Sequence, residues 1–292
     1  MLMRLLVVFG VCLATTAQAG VLEQAVEGIK MPLAKKPTSR PMTVAFVPDY
    51  KRYYVADGGL GPLQDGNAIA SSRSEIHTFD AKGQYLGSTQ AGLDNRSIYF
   101  NPNKNQLESI TYNVSSDAGF TPDTGGYALG LDNKGNLTGQ KDEFFSFNPA
   151  FGYSGTMPTF DPVDNKYFAK QSRSNKVLVV QLDKRESVAE IALQLDAAGA
   201  AFDDISDGYV AYTGIPGEEI AALDIDHKSI LVFDATGKFV GKSLLPTSMK
   251  LRAHNHYTGL GYANGMFFVY HEPEGEFGTY YGFKVSDQAV SQ

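Results

Sequence analysis

The pattern of hydrophobic and polar residues repeats about every fifty residues along the chain. Three segments share an alternating apolar run, an Asp-x-x-Gly tetrapeptide and a second alternating run: IHTFDAKGQYLGST (76–89), YALGLDNKGNLTGQ (127–140) and ILVFDATGKFVGKS (230–243). A weaker copy, VVQLDKRESVAEIA, spans 179–192. Aspartate supplies a side-chain acceptor in a tight turn and glycine supplies a positive φ, so each copy predicts a β-hairpin. The four predicted turns contain Asp80, Asp132, Asp183 and Asp234.

A second pattern precedes each hairpin. An aromatic residue ends a short apolar run, a turn rich in Pro, Asn, Asp or Gly follows, and a run rich in Tyr, Phe and Val comes next. Five copies are present, and their aromatic residues are Phe46, Phe100, Phe160, Phe202 and Tyr262. Together the two patterns predict a repeat of four antiparallel strands.

The fifth repeat lacks a fourth strand, because only seven residues follow its third predicted strand at 279–285. The segment VEGIKMPL, which begins at Val26, resembles the outer-strand segment VGKSLLPT, which begins at Val240. We therefore predict that an N-terminal outer strand pairs with the last repeat. Such a closure removes open sheet edges.

The segments AFVPDYKRYYVAD (45–57) and IHTFDAKGQYLG (76–87) resemble β-propeller repeats of the NHL and YVTN type. The resemblance covers nearly the whole chain after residue 19 and implies an all-β fold, a β-propeller of five four-stranded blades. Six blades are the alternative if 21–41 forms more than one strand. Propellers host binding proteins, scaffolds and enzymes, so the resemblance implies an architecture rather than a function.

The N-terminus has the order of a secretory signal. Arg4 precedes an apolar run from Leu5 to Ala14, and Ala17-Gln18-Ala19 ends the segment. We predict a signal peptide over 1–19, a single domain over 20–292, and a periplasmic or secreted protein without a membrane span. The single cysteine, Cys12, lies in the signal peptide, so the mature chain would rely on its core rather than on disulfides.

Charge and one short motif bear on the partners. The formal net charge of −7 makes a nucleic-acid partner unexpected. Gly241-Lys242-Ser243 ends like a phosphate-binding loop, but Thr236 stands where that loop needs glycine, and the segment alternates like a strand. No nucleotide cofactor is therefore expected, and the chain is expected to be a monomer.

One end of the predicted propeller carries the long connections. We call it the long-loop face, and define it as the end where first strands begin and where second strands pass into third strands. Its long connections are 57–74, 113–126, 145–157, 214–228, 245–257 and 272–278. Irregular loops on a rigid sheet are where binding residues usually lie.

The candidate site residues lie in or beside these connections. Arg252, His254 and His256 precede the first strand of the fifth repeat, and His271 ends its second strand. These three histidines, with a carboxylate from Asp57, Asp94 or Glu272, have the donors for a divalent transition metal. The alternative is that they are ordinary hydrogen-bonded loop histidines. Arg96 adds a cation for an anionic or planar ligand.

These features predict an exported binding protein that recognises a small molecule or an envelope protein on its long-loop face without catalysis. One alternative is a metal-dependent hydrolase of lactones or phosphoesters that uses the three histidines. Another is a protein-interaction scaffold. The chain has no Gly-x-Ser-x-Gly nucleophile elbow, and its only cysteine falls in the predicted signal peptide.

Overall fold

A computed structural model of the protein describes residues 20–35, 37, 40–58, 74–93, 95–111, 125–146, 148–153, 155–251, 259–272 and 277–287. The predicted signal peptide, 1–19, lies outside these residues. The described strands, in chain order, are β1 (Val21–Pro32), β2 (Arg40–Val47), β3 (Arg52–Gly58), β4 (Glu75–Asp80), β5 (Tyr85–Thr89), β6 (Ser97–Asn101), β7 (Gln106–Thr111), β8 (Gly125–Leu131), β9 (Leu137–Ser146), β10 (Thr159–Asp161), β11 (Lys166–Lys170), β12 (Lys176–Val180), β13 (Ala189–Ala192), β14 (Ala211–Tyr212), β15 (Ile220–Asp224), β16 (Ser229–Phe233), β17 (Phe239–Leu244), β18 (Leu260–Ala263), β19 (Met266–His271) and β20 (Thr279–Ser286). Helical structure is limited to 3-10 turns at Pro48–Tyr50 and Pro149–Phe151 and an α-helical turn at Leu195–Ala198 within the described residues.

The strands form antiparallel meanders of four. Three separate sheets have the orders β2-β3-β4-β5, β6-β7-β8-β9 and β10-β11-β12-β13. An eight-stranded sheet has the order β14-β15-β16-β17-β1-β20-β19-β18. We call the three sheets the first, second and third units, β14–β17 the fourth unit, and β18–β20 with β1 the fifth unit. The predicted all-β fold is confirmed.

The N-terminal strand completes the fifth unit. β1 runs antiparallel to β20, with Val21 opposite Ser286 and Pro32 opposite Thr279. This pairing confirms the predicted association of an N-terminal outer strand with the last repeat. A single parallel bridge, between Gln24 and Leu244 of β17, joins the fifth unit to the fourth.

Three of the four predicted Asp-Gly turns have the same hydrogen bonds. In the β16–β17 turn, the Asp234 amide donates to the Lys238 carbonyl, and the Gly237 amide donates to the Asp234 carbonyl. Asp234 Oδ1 accepts the amides of Thr236 and Lys238 at 2.8 and 3.1 Å. The turns at Asp80 and Asp132 repeat this arrangement, and Gly83, Gly135 and Gly237 all have φ near +80°. Asp183 lies in the corresponding β12–β13 connection, which has no glycine.

Each unit buries its two faces against neighbouring units. In the first unit, Tyr54 and Ala56 pack with Leu107 and Leu129 of the second unit. The alternate residues Tyr53 and Val55 pack with Phe268 and Tyr280 of the fifth unit. Further apolar clusters lie between the second and third, third and fourth, and fourth and fifth units. Both faces of a strand are therefore covered, unlike those of a sheet with one face in water.

The first strands of the units lie side by side. Thr43 Oγ1 of β2 accepts the Ile98 amide of β6 at 2.7 Å. The Ser97 hydroxyl donates to the Pro158 carbonyl beside β10, and the Met157 amide donates to the Gly208 carbonyl at 2.8 Å ahead of β14. β14 contacts β18, and β18 contacts β2, which completes a cycle of neighbours.

The fourth unit differs from the sequence prediction. Phe202 was predicted to end a first strand, but it lies in a turn and is 43% exposed. The predicted second strand, around Ala211, is the first strand β14. The predicted long connection 214–228 is wrong, because Ile220–Asp224 within it is the buried second strand β15.

Gly241-Lys242-Ser243 lies inside strand β17, opposite Val232, Leu231 and Ile230 of β16, as the alternating pattern predicts. Among the described residues, no helix combines the length and apolar character needed to cross a membrane.

Candidate functional site

A buried cluster of ionisable side chains lies where β3 ends and β4 begins. Asp57 stands opposite Glu75 across the two strands, and Val55 stands opposite His77. Because alternate residues of a strand share a face, the side chains of Asp57, Glu75 and His77 point to the same side of the first unit. Asp57 and His77 are 0% exposed, and Glu75 is 7% exposed.

His77 connects Asp57 to a tyrosine. Its Nε2 lies 3.2 Å from Asp57 Oδ2, and its Nδ1 lies 3.3 Å from the hydroxyl of Tyr85 in β5. A neutral imidazole has one donor and one acceptor nitrogen, so the ring can donate to Asp57 while it accepts from Tyr85. These two contacts fix the ring between β3 and β5.

Glu75 has one paired and one unpaired oxygen among the described residues. Lys35, which follows β1, places its Nζ 2.7 Å from Glu75 Oε1. Glu75 Oε2 is buried and has no hydrogen-bond partner in the described part of the chain. A buried carboxylate oxygen without a partner is costly, so this atom lacks the cation or hydrogen-bond donor that would offset its burial.

The surroundings of the cluster are apolar on one side and polar on the other. The face that carries Asp57 also carries Val55, which packs with Met31 and Tyr270. On the backbone side, the Ser74 hydroxyl donates to the Asp57 carbonyl at 2.8 Å and accepts the Asn95 amide at 2.9 Å. The apolar packing lowers the local dielectric and strengthens each charge interaction.

Gly58 allows the second unit to approach this end of β3. A Cβ at Gly58 would collide with the backbone carbonyl of Asn95, so no larger residue fits without movement. This contact brings Asn95 and the adjacent Arg96 next to the end of β3. Arg96 is buried directly before β6.

The predicted site residues are only partly brought together. Asp57 and Arg96 lie at the same end of the first and second units. His271 ends β19, where its Nδ1 accepts the Lys250 amide at 2.7 Å and its ring contacts Tyr281. His271 alternates with Tyr270, so it faces the fourth unit, whereas Asp57 faces the fifth. Arg252, His254 and His256 lie outside the described residues.

Sequence reasoning missed Glu75, His77 and Lys35. The signal available was the alternation Glu75-Ile76-His77, which places a carboxylate and an imidazole on one face of a strand.

A second carboxylate–imidazole pair lies at the end of β15, where His227 Nδ1 is 2.9 Å from Asp224 Oδ2. The hydrogen bond and charge of Asp224 raise the pKa of the exposed His227.

A polar groove with a volume of about 390 Å³ lies on the third unit, at the end opposite the long-loop face. Asp164, Asn165, Gln181, Leu182 and Asp183 line it. The groove is open and lacks buried ionisable groups, so its chemistry is that of a hydrated surface. The buried Asp57, Glu75 and His77 cluster is the stronger candidate.

Comparisons with known proteins show a similarity of fold but do not indicate a function. The chain matches no protein-family model and no curated protein. Among solved structures it is similar to the tail fiber of Staphylococcus aureus phage P68, with a TM-score of 0.53 and 11% identity over 90% of this chain and 53% of that chain. This chain thus spans about half the length of the tail-fiber chain. A protein of unknown function from Bacteroides thetaiotaomicron VPI-5482 has a TM-score of 0.47 and 12% identity, over 91% of this chain and 76% of that chain. At these identities the tail-fiber likeness concerns the fold alone.

Proposed function

We propose that the protein is an exported five-bladed β-propeller of the NHL- and YVTN-like type that binds a partner on its long-loop face without catalysis. The observation that carries the proposal is the cyclic contact of the first strands, in the order β2, β6, β10, β14, β18 and again β2. In such a ring all first strands start at one end. The connections between second and third strands therefore gather around the same opening.

The described residues at that end have the chemistry of a recognition surface. Arg173 and Phe277 lie in second-to-third-strand connections of the third and fifth units. The Arg173 side chain is largely exposed, and Phe277 is half-exposed. Exposed arginine and aromatic side chains are the residues that most often anchor protein and ligand contacts.

The position of β1 supports export. β1 begins at Val21, two residues after the predicted cleavage site that follows Ala19. Cleavage there would leave every residue that pairs with β20 in place. A mature chain without cysteine can then fold in an oxidising compartment without forming incorrect disulfides.

One experiment tests both parts of the proposal. The full-length chain is expressed in a bacterial host with its own N-terminus, and the protein recovered from the periplasm or medium is expected to begin at Gly20. This protein is immobilised and exposed to envelope extract, and bound molecules are identified by mass spectrometry. We expect a double variant, Arg173→Ala with Phe277→Ala, to retain roughly tenfold less of the bound partner, because two contact residues are lost.

The matched control lies at the other end of the third unit. Val163 is an exposed apolar residue in the β10–β11 connection, and Lys166 is a cation at the start of β11. Val163→Ala with Lys166→Ala should leave capture unchanged. The proposal fails if this control pair weakens capture as much as the long-loop pair, or if the protein stays uncleaved in the cytoplasm. A small molecule in the eluate identifies a ligand-binding protein, and a protein identifies a scaffold.

A further inference from the structure

We propose that Asp57, Glu75 and His77 form a binding site for a divalent transition metal ion, in which the Lys35 ammonium competes with the metal for Glu75. One donor atom of each of the three residues lies within 4.8 Å of the other two. The site lies between the first and fifth units and uses none of the predicted ligands His254, His256 and His271.

The donor set fits a borderline metal ion. Two carboxylates and one imidazole suit Zn²⁺, Mn²⁺ or Co²⁺, whereas Ca²⁺ and Mg²⁺ prefer oxygen donors alone. Nitrogen and oxygen donors bind Zn²⁺ at about 2.0–2.2 Å, which places them roughly 3–3.5 Å apart. His77 Nε2 and Asp57 Oδ2, at 3.2 Å, already have this spacing. The Glu75 donor lies within 4.8 Å of the other two, and rotation of its side chain brings it closer to them.

Tyr85 orients the imidazole for this role. Metal-bound histidines usually donate the hydrogen of their other ring nitrogen to an oxygen. His77 Nδ1 lies 3.3 Å from the Tyr85 hydroxyl, so Tyr85 can accept that hydrogen. His77 Nε2 then presents its lone pair toward Asp57, on the side where the metal would lie.

The unpaired oxygen of Glu75 is the independent sign of a missing cation. Glu75 Oε2 is buried without a partner among the described residues, although Oε1 is held by Lys35. A buried carboxylate oxygen without a partner is costly, and a divalent cation bound at Oε2 would offset that cost. Lys35 is half-buried on a connection rather than on a strand, so it can leave Glu75 without breaking a strand.

The test uses the tag-free protein from residue 20 onward, stripped of metal with a chelator. Zn²⁺ and Mn²⁺ are titrated by calorimetry, and Co²⁺ is followed by its visible absorption. We expect one equivalent to bind. Glu75→Gln should weaken binding by at least about a hundredfold, because it removes a ligand charge. Lys35→Met should strengthen binding by about tenfold, because the competing ammonium is gone.

Opposite effects of the two variants separate metal binding from a structural role, since both substitutions remove the same ion pair. Lys35→Met also keeps the test decisive if Glu75→Gln fails to fold. The matched control is Glu190→Gln, which removes an exposed ion pair with Lys176 at 2.9 Å and should change nothing. The proposal is overturned if none of the three ions binds stoichiometrically. It is equally overturned if binding survives Glu75→Gln but is lost in His271→Gln. Partner capture is measured separately on metal-free protein, so either proposal can fail alone.

Discussion

At the scale of single residues, Lys170 is a lysine whose side chain is buried in the described chain. It is 0% exposed, and its Nζ donates to the backbone carbonyls of Gln171 and Ser174. Burial lowers the pKa of Lys170 to about 8, and the charge of Asp207 opposes this shift. The hydrogen bonds of this ammonium thus hold the connection between β11 and β12, although its removal from water costs free energy.

This lowered pKa predicts a stability that rises with pH. The ordinary lysine pKa is 10.5, so between pH 8 and 10.5 the unfolded chain holds a proton that the folded chain has lost. The free energy of unfolding should therefore increase by roughly 2 kcal/mol between pH 7 and 9.5. Urea denaturation at several pH values measures it.

The matched variant is Lys170→Met, which keeps the side-chain length and removes the titrating group. Its unfolding free energy, compared with that of the wild type, should lack the rise. Parallel pH profiles for the two proteins would contradict the prediction. The window stops below pH 10 because burial raises the pKa of Tyr54 and Tyr262 to about 12, and their titration opposes the effect at higher pH.

Single residues also show which features the sequence reveals. The turns at Asp80, Asp132 and Asp234 were predictable because each is formed by hydrogen bonds within five consecutive residues. Glu75 and His77 were not, because polar residues that alternate with apolar ones normally face water. Here the neighbouring fifth unit covers that face, and local sequence carries no record of this packing.

At the scale of elements, the hairpin turns contact the preceding unit. A Cβ at Gly83 would collide with the Lys30 carbonyl of β1, and a Cβ at Gly135 would lie 2.6 Å from the Tyr50 ring in the first unit. Gly237 approaches Ala192 at the end of β13 in the same way. Each of these glycines therefore serves both the turn and the contact between units.

A comparison of Gly83 with Gly265 distinguishes the contribution of the turn from that of the contact between units. Gly83 and Gly265 have φ of +82° and +73°, but a Cβ at Gly265 meets open space. Gly265→Ala should destabilise the protein by about 1 kcal/mol, the cost of a positive φ. Gly83→Ala should lower the free energy of unfolding by roughly 2–3 kcal/mol more than Gly265→Ala does, because the added Cβ forces β1 to shift. Chemical denaturation of both variants measures the difference, and equal losses would show that the contact with β1 contributes nothing.

The error in the fourth unit also belongs to the scale of elements. β15 has the sequence IAALD, in which alanine is a weak strand former and no polar residue alternates. All five residues are buried because the third and fifth units cover the two faces. The tyrosine- and valine-rich segment before it resembled a second strand, so it was predicted as the second strand of this repeat. It is the first strand, β14, and β15 is the second.

At the scale of the whole molecule, the two described ends of the chain meet. Val21 lies opposite Ser286, and β1 continues antiparallel to β20 from there. A circular permutant that joins the C-terminus to Gly20 through a short Gly-Ser loop, with new ends between Leu33 and Arg40, should fold. In that order every unit consists of four consecutive strands. Thermal unfolding should give a midpoint within about 5 °C of the wild type, since most surface loops tolerate new ends.

The control permutant has its new ends between Asn103 and Lys104, in the turn that joins β6 to β7. This cut divides the second unit, so its midpoint should fall further. Equal midpoints for the two permutants would contradict the role assigned to β1. Failure of the first permutant to fold would contradict it as well.

The repeat itself was the most predictable property of the whole molecule. A period of about fifty residues predicts four short strands per repeat, and the aromatic pattern predicts five repeats, although its copy at Phe202 does not end a strand. The neighbour relations between units depend on contacts such as Thr43 with Ile98, which are distant in sequence. No local pattern specifies such contacts, so the candidate metal site between the first and fifth units could not be predicted.

The place of β1 has a consequence for biosynthesis. β1 precedes β20 by most of the described chain, yet the two strands are neighbours in one sheet. The sheet that they share can form only after β20 has been made, so the nascent chain stays incompletely folded until then. Contacts between such distant segments form slowly. Until β20 has been made, the edge of β1 with which it pairs has no partner strand.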